Sequence, residues 1–184
     1  MTVADAALAG VKLIAPIVHR DERGFFLETY HHRRYAAAGI PDVFVQDNHS
    51  RSARGTVRGL HLQCTALQAK LVRVISGEIF DVAVDVRVGS PAFGRWVGMT
   101  LSAANARQLY VPPGFAHGFA VVSEVAEVEY KCSAYYDAAD ELAIRFDDPA
   151  IGVAWPVTEP VLSMRDGTAA LLAACHDRLP RFLP

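Results

Sequence analysis

The segment PPGFAHGF (112–119) is the first to suggest chemistry, because it places His117 at a fixed spacing after Pro112 and Gly114. A proline and a glycine at this spacing favour a tight turn, and a histidine at the start of the next strand can bind a ligand or carry a proton. A turn followed by a structural histidine explains the same pattern equally well. The motif therefore predicts a turn and a strand, and makes His117 a candidate functional residue.

The turn motif resembles the second signature of the cupin superfamily, whose members are jelly-roll barrels. The first signature of that superfamily supplies a His-x-His pair and a later Glu, which form a metal site with nitrogen and oxygen ligands. Here the matching stretch is LHLQ, in which His61 is followed by Gln63, and the next polar residue expected to point inward is Lys70. Because a lysine ammonium repels a divalent cation, we predict a barrel that works without metal and uses Lys70 as a fixed positive charge.

A third candidate lies in EVAEVEYKCS (124–133), where apolar and charged residues alternate. One face of the predicted strand carries Ala126, Val128, Tyr130 and Cys132, and the other carries Glu127, Glu129 and Lys131. Tyr130 therefore points inward, either as a hydrogen-bonded core tyrosine or as a proton donor facing a cavity. The alternation alone favours the core tyrosine, since buried tyrosines with a hydrogen-bond partner are common.

The elements that must position these residues are short strands separated by turn residues. The predicted strands are KLIAPIVH (12–19), FFLETYH (25–31), FVQDNHS (44–50), VRGLHLQ (57–63), KLVRVI (70–75), EIFDVAVDVR (78–87), RWVGMTLS (95–102), RQLYVP (107–112), GFAVVS (118–123) and AEVEYKCS (126–133). Two hairpin turns are predicted, at SGE (76–78) and GSPAFG (89–94). Helices are predicted at RRYAAAG (33–39), near Asp140 and after Arg165. So many antiparallel strands predict an all-β sandwich or barrel with a few short helices, mostly near the C-terminus.

Composition narrows the class of protein. The chain has 184 residues, 52% of them hydrophobic, which predicts one domain over 1–184. A formal net charge of −2, spread along the chain, argues against nucleic acid or an anionic membrane as partner. No secretory signal or membrane-spanning run is evident, and three widely spaced cysteines suit neither a disulfide framework nor a metal site. We therefore expect a cytoplasmic protein.

The chain resembles the dTDP-4-dehydrorhamnose 3,5-epimerase family in segments that follow the family's order and cover nearly the whole sequence. These segments are DERGFFLE (21–28), VQDNHSRS (45–52), VRGLHLQ (57–63), QAKLVRV (68–74), GEIFDVAVDVR (77–87), SPAFGRWVG (90–98), VPPGFAHGF (111–119), YKCSAYYD (130–137) and VLSMRD (161–166). The resemblance implies a cupin-like jelly roll without metal or cofactor, usually a homodimer. The implied reaction inverts C3 and C5 of dTDP-4-dehydro-6-deoxy-D-glucose to give dTDP-4-dehydro-L-rhamnose, for dTDP-L-rhamnose or a related deoxysugar.

The resemblance also implies catalytic roles. His61 would be the base that removes a proton next to the ketone, and Asp166 would hold its imidazole. Lys70 would stabilise the enolate oxygen, with His117 nearby. Tyr130 would deliver a proton to the opposite face of C5. Two groups on opposite faces are needed because one group acting on one face would restore the starting configuration.

Further positions match family contacts to the nucleotide and the sugar. They are Arg23, Glu28, Gln46, Asn48, Arg58, Tyr136, Glu141 and Arg165, of which Tyr136 would stack on thymine and the arginine forks suit phosphate oxygens. In the family the N-terminal strand can cross to the partner subunit, so Arg23, Phe25 and Glu28 are expected to complete the neighbour's site. Position 165 departs from the family pattern, which more often has Lys before the aspartate.

Three alternatives stay open at this point. Family members in antibiotic-sugar pathways invert only C3 or only C5, and proton exchange at a single carbon would reveal this. A metal-dependent cupin would contain bound metal, and a non-catalytic sugar-nucleotide binder would be unaffected by loss of His61 or Tyr130.

A last expectation concerns Arg58 and His61, which point to opposite faces of a regular strand. If both serve one cleft, the strand must be irregular between them, most easily at Gly59.

Overall fold

A computed structural model describes residues 1–183, and its strands form two large antiparallel sheets and a small one. The six-stranded sheet has the order β1 (Thr2–Asp5), β2 (Lys12–Ala15), β10 (Gln108–Val111), β7 (Lys70–Ser76), β12 (Val125–Cys132) and β5 (Gln46–Ala53). The five-stranded sheet has the order β13 (Glu141–Ala143), β6 (Val57–Gln63), β11 (Phe115–Val121), β8 (Glu78–Asp85) and β9 (Trp96–Ser102). The third sheet pairs β3 (Val18–Asp21) with β4 (Gly24–Leu27). The all-β prediction is confirmed.

Inward-facing side chains of the two large sheets pack against each other. Val72 and Val128 come from the six-stranded sheet, and Ile79 and Phe119 come from the five-stranded sheet; all four are buried in one cluster. Burying an aliphatic or aromatic side chain of this size contributes roughly 1.5–3 kcal/mol to folding. The alternation of apolar and polar residues therefore fixes which side of each strand faces the interior, and with it where the polar candidates point.

One predicted hairpin and one predicted strand differ from those observed. SGE does not form a hairpin, because β7 pairs with β10 and β12 whereas β8 pairs with β9 and β11 in the opposite sheet. The turn residues correctly mark a reversal, but they do not say which sheet the chain enters next. GSPAFG does join the hairpin of β8 and β9. The segment 12–19 is divided at Pro16 into β2 and β3, since proline has no N–H for the ladder.

Helices are few and short. They are α1 (His32–Ala37), α2 (Met164–Gly167) and a 3₁₀ helix at Leu172–Arg178. The helices at 33–39 and after Arg165 are thus confirmed, but the one near Asp140 is wrong. The Asp140 carboxylate instead accepts backbone N–H groups of Thr65 and Ala66, which holds a loop against the end of β6. Within residues 1–183, no helix is both long and apolar enough to cross a membrane.

Strand β6 is irregular at the place expected. His61 is paired with His117 and Arg58 with Phe119, so three residue steps on β6 match two on β11. Gly59 has φ +116°, and a Cβ there would lie 2.6 Å from Cα of Gly118. The extra residue lets Arg58 and His61 line the same cavity, which confirms the sequence expectation.

We predict that Gly59→Ala lowers the free energy of unfolding by about 2–5 kcal/mol, because the methyl group meets backbone and the positive φ disfavours a side chain. Gly89→Ala is the matched control, since Gly89 has φ +89° but open space around it. The control is expected to lose only about 1–2 kcal/mol. Urea unfolding of the two variants measures the difference, and equal losses would show that the contact with Gly118 is unimportant.

Candidate active site

A cavity of about 390 Å³ is bounded by strands of both large sheets and by the segment that leads into α2. A second cavity of about 230 Å³ adjoins it, and the two share His61, Lys70 and Tyr130. Asp166 and His117 also line the larger cavity. The structure therefore brings together all five residues to which the family resemblance assigns chemistry near the ketone, although they lie far apart in the sequence.

His61 and Asp166 form a close pair. Nε2 of His61, on β6, lies 2.6 Å from Oδ1 of Asp166, on α2. The backbone N–H of Asp166 donates to Oγ of Ser163 at 3.1 Å, so a serine N-cap fixes the short helix that carries the carboxylate. Burial opposes ionisation of Asp166, but hydrogen bonding and the charge of His61 outweigh it and lower the pKa of the carboxyl. A carboxylate thus holds the imidazole, which stays partly exposed to the cavity.

Lys70 and Tyr130 come from neighbouring strands of the six-stranded sheet. Nζ of Lys70 lies 5.8 Å from the centre of the Tyr130 ring. Burial raises the pKa of Tyr130 to about 12, with smaller contributions from Cys132 and Glu141 in the same direction. The phenol is therefore protonated at neutral pH and can donate a proton or a hydrogen bond.

Burial also acts on Lys70, where it disfavours the charged ammonium. The pKa of Lys70 is lowered by this desolvation, although the negative charges of Glu141 and Asp81 act to raise it. A lysine in such a place is a stronger acid than one in water, and its charge is poorly screened. Both properties suit a group that faces a developing oxyanion.

A second histidine pair was not anticipated from the sequence. Nε2 of His117 lies 2.8 Å from Oδ1 of Asp81, and both side chains are buried. Asp81 alternates with apolar residues along β8, and such a pattern suits a solvent-facing carboxylate as well as an inward one. Only the register, which sets Phe119 opposite Asp81 and His117 two residues further along the same face of β11, shows that the two meet.

A hydrogen-bonded network lines the smaller cavity. The backbone N–H of Tyr136 donates to Oε1 of Gln46 at 2.9 Å, and Nε2 of Gln46 donates to Oδ1 of Asn48 at 3.1 Å. The Tyr136 hydroxyl donates to Oε2 of Glu141 at 3.0 Å, and the Arg165 guanidinium bonds the same oxygen. Four of these residues line the smaller cavity, and Arg165, which bonds Glu141, lines the larger one. In the larger cavity, Arg58 donates from Nε to Oγ of Ser52 at 3.1 Å.

The N-terminal candidates do not join this site within one chain. Arg23 pairs with Asp21 at 2.6 Å on the β3–β4 hairpin, and Glu28 pairs with Arg34 at 2.8 Å. Phe25 is 65% exposed. None of the three lines either cavity. Within one chain, these three candidates therefore lie outside the site.

The donor set does not favour a metal ion. Within residues 1–183, no group of three or more His, Cys, Asp or Glu side chains converges as metal ligands would. His61 and His117 each bond a carboxylate, and Lys70 lies beside them. Metal-free chemistry remains a prediction, which elemental analysis of the purified protein would test.

The model of the family described as dTDP-4-dehydrorhamnose 3,5-epimerase matches residues 5–174. The chain belongs to this family. It is 52% identical over 183 residues to a dTDP-4-dehydrorhamnose 3,5-epimerase of Neisseria gonorrhoeae, covering 99% of this chain and 56% of that relative's length. It is 41% identical over 179 residues to a dTDP-4-dehydrorhamnose 3-epimerase of Streptomyces niveus, covering 96% of this chain and 86% of the relative.

The fold agrees with that of a solved family member. A crystal structure of dTDP-6-deoxy-D-glucose-3,5-epimerase from Legionella pneumophila Philadelphia 1, in complex with dTDP-4-keto-L-rhamnose, superposes with a TM-score of 0.97. The two chains are 47% identical, and the match covers 100% of this chain and 99% of the other. The cupin-like architecture expected from the motifs is thereby confirmed.

Proposed function

We propose that the protein is a dTDP-4-dehydrorhamnose 3,5-epimerase, which inverts C3 and C5 of dTDP-4-dehydro-6-deoxy-D-glucose without metal or cofactor. The observation that carries the proposal is that His61 and Tyr130 line the same cavities from opposite sheets, and that Lys70 lines both cavities with them. Membership of the family supports the substrate class. The product, dTDP-4-dehydro-L-rhamnose, would serve the synthesis of dTDP-L-rhamnose or a related deoxysugar.

Proton abstraction is assigned to His61. Because its Nε2 faces the Asp166 carboxylate, the ring is held as the tautomer whose Nδ1 is basic. The 4-keto group acidifies the hydrogens on C3 and C5, so one base in reach of both carbons can start both inversions. Asp166 then stabilises the imidazolium that forms.

Stabilisation of the negative charge on the enolate oxygen is assigned to Lys70, with His117 beside it. The negative charge appears on O4 only as the proton leaves, so an ammonium fixed in advance binds the transition state better than the ground state. Such preorganised donors typically contribute about 10²- to 10³-fold to kcat each.

Reprotonation of C5 is assigned to Tyr130. It lies on β12 in the six-stranded sheet, whereas His61 lies on β6 in the five-stranded sheet, so the two reach the sugar from opposite walls. The raised pKa keeps its proton available at neutral pH. A proton removed on one side and returned on the other gives inversion.

Binding of the nucleotide is assigned to the remaining candidates. Arg58 would contact the diphosphate, and Tyr136 would stack on thymine with Gln46, Asn48, Glu141 and Arg165 around it. Arg23, Phe25 and Glu28 would complete the site of a partner in a homodimer. Exposure of Phe25 and Phe26 supports an interface there, and sedimentation equilibrium measures the association.

Three free thiols are consistent with the reducing cytoplasm, where we propose the protein acts.

The test of this function is proton exchange in D₂O, followed by NMR at C3 and C5 of dTDP-4-dehydro-6-deoxy-D-glucose. Deuterium is expected at both carbons. A mono-epimerase is the second candidate, because the Streptomyces niveus relative carries the name 3-epimerase. Exchange confined to one carbon would establish the mono-epimerase and refute the double inversion.

We predict that Tyr130→Phe impairs inversion at C5 by about 10²-fold or more while sparing part of the proton exchange, since His61 remains to remove protons. Tyr110→Phe is a suitable control, because Tyr110 is buried but donates to Asp42 and lines neither cavity. NMR separates exchange from net epimerisation. Equal loss of both in Tyr130→Phe would contradict the assignment of Tyr130 as the proton donor.

A further inference from the structure

Two histidine–aspartate pairs lie side by side on the wall of the cavity. His61 and His117 are direct cross-strand partners on β6 and β11, so their side chains share one face of the sheet. Asp166 reaches His61 from α2, and Asp81 reaches His117 from β8 on the other side of β11. The mechanism proposed above uses the first pair and gives Asp81 no part.

The surroundings of Asp81 are unusual for a structural carboxylate. Its side chain is fully buried, Oδ1 bonds to Nε2 of His117, and Oδ2 has no hydrogen-bond partner among residues 1–183. Leaving a buried carboxylate oxygen unpaired is unfavourable, and such groups usually have a functional explanation. If only packing were required at position 81, an uncharged side chain would fill the space without burying an unpaired carboxylate oxygen.

Asp85 shows what a structural aspartate looks like on the same strand. It is also fully buried, but Arg87 donates to both of its oxygens, at 2.9 and 2.6 Å, and Ser90 donates to Oδ2 at 2.6 Å. Neither aspartate lines either cavity, but Asp81 bonds His117, which lines the larger one. The two aspartates are both buried on β8, but they differ in the hydrogen bonding of their oxygens and in whether their partner lines the cavity.

The contact with Asp81 determines how His117 presents its ring. Nε2 of His117 faces the carboxylate. The other ring nitrogen, Nδ1, makes no hydrogen bond with residues 1–183, although His117 lines the cavity. Asp81 also lies close enough to Lys70 for its charge to act on the ammonium. One buried carboxylate thus acts on both groups that face the enolate oxygen.

We propose that Asp81 is a positioning residue of this active site, which holds Nε2 of His117 as a donor and leaves Nδ1 to meet the 4-keto sugar beside Lys70. The proposal rests on the proposed function, since it deepens the account of how that site binds the developing enolate. It assigns Asp81 an effect on the transition state through His117 and no contact with the substrate.

The kinetic test compares Asp81→Asn with Asp85→Asn. The amide has the size of the carboxylate but lacks its charge, so Asp81→Asn is expected to lower kcat at least about 10-fold with KM within about threefold of wild type. Asp85→Asn is expected to keep kcat, and thermal unfolding checks that both variants fold. In a His117→Phe background, Asp81→Asn should cause no further loss. An unchanged kcat in Asp81→Asn, or an undiminished second loss, would overturn the proposal.

A second measurement needs no substrate. The ¹⁵N shifts of His117 in the wild-type protein are expected to show a proton on Nε2, and in Asp81→Asn that preference should weaken. An unprotonated Nε2 in the wild type would overturn the proposal. If the wild-type protein fails to exchange protons on the dTDP-4-keto sugar, the proposed function fails on its own, and the NMR result still decides how Asp81 holds His117.

Discussion

His61→Ala is expected to abolish solvent-proton exchange at both C3 and C5, with kcat lowered by about 10³- to 10⁴-fold. A general base typically contributes about 10²- to 10⁴-fold to the rate. Because the proposal assigns one base to both carbons, its loss affects exchange at both. The Asp166 carboxylate, left without its imidazole, is buried and faces the space that the ring occupied. Binding of dTDP should change little, because the assigned nucleotide contacts lie elsewhere in the site. NMR in D₂O and equilibrium binding of dTDP measure the two effects.

His49→Ala is the matched control for this variant. Nε2 of His49 lies 3.1 Å from Glu127, so it too is a histidine–carboxylate pair, but it is exposed on the outer face of β5. Exposed pairs contribute at most about 1 kcal/mol to stability, so the control should exchange protons as the wild type does. Undiminished exchange by His61→Ala would remove the base assignment.

The sequence was most informative where strand geometry alone decides which way a side chain points. Alternation along β12 correctly predicted that Tyr130 points inward. The odd spacing of Arg58 and His61 correctly predicted an irregular strand at Gly59 if both residues line one cleft. Both inferences depend on geometry that any strand obeys. The roles of these residues came from the family resemblance, since the spacing alone left Tyr130 as a core residue.

The sequence was least informative where a contact depends on which strands pair with each other. The turn residues of SGE indicate a reversal, yet β7 and β8 enter opposite sheets, because the choice depends on which strands are already paired. The contact between Asp81 and His117 could not be predicted for the same reason. Its partner His117 is 36 positions away, and only the pairing of β8 with β11 brings them together.

The N-terminal candidates show a different limit. Arg23 and Glu28 match family contact positions, but within one chain each forms an exposed ion pair with a neighbour. Ion pairs of this kind contribute little to stability, so Arg23 can exchange Asp21 for a phosphate, and Glu28 can exchange Arg34 for another donor, at little cost. Their isolation from the cavity within one chain is what a site completed by a second subunit requires.

Lys70→Met is expected to lower kcat by about 10²- to 10³-fold with little change in KM, and to slow exchange at C3 and C5 equally. Both enolates place their charge on the same 4-keto oxygen, so loss of the ammonium affects both carbons, unlike loss of Tyr130. Methionine keeps most of the side-chain length, so packing around β7 is largely preserved. Steady-state kinetics and exchange rates at each carbon measure the effect.

Lys131→Met is the matched control, because Lys131 lies on β12 with its ammonium bonded to Asp47 outside the cavity. Lys70→Arg keeps the charge but replaces a compact donor with a planar fork, and we expect it to restore only part of the rate. A rise in KM with unchanged kcat in Lys70→Met would mean that Lys70 binds substrate and transition state equally. In that case the enolate charge would have to be met by His117, whose ring Asp81 holds at the same oxygen.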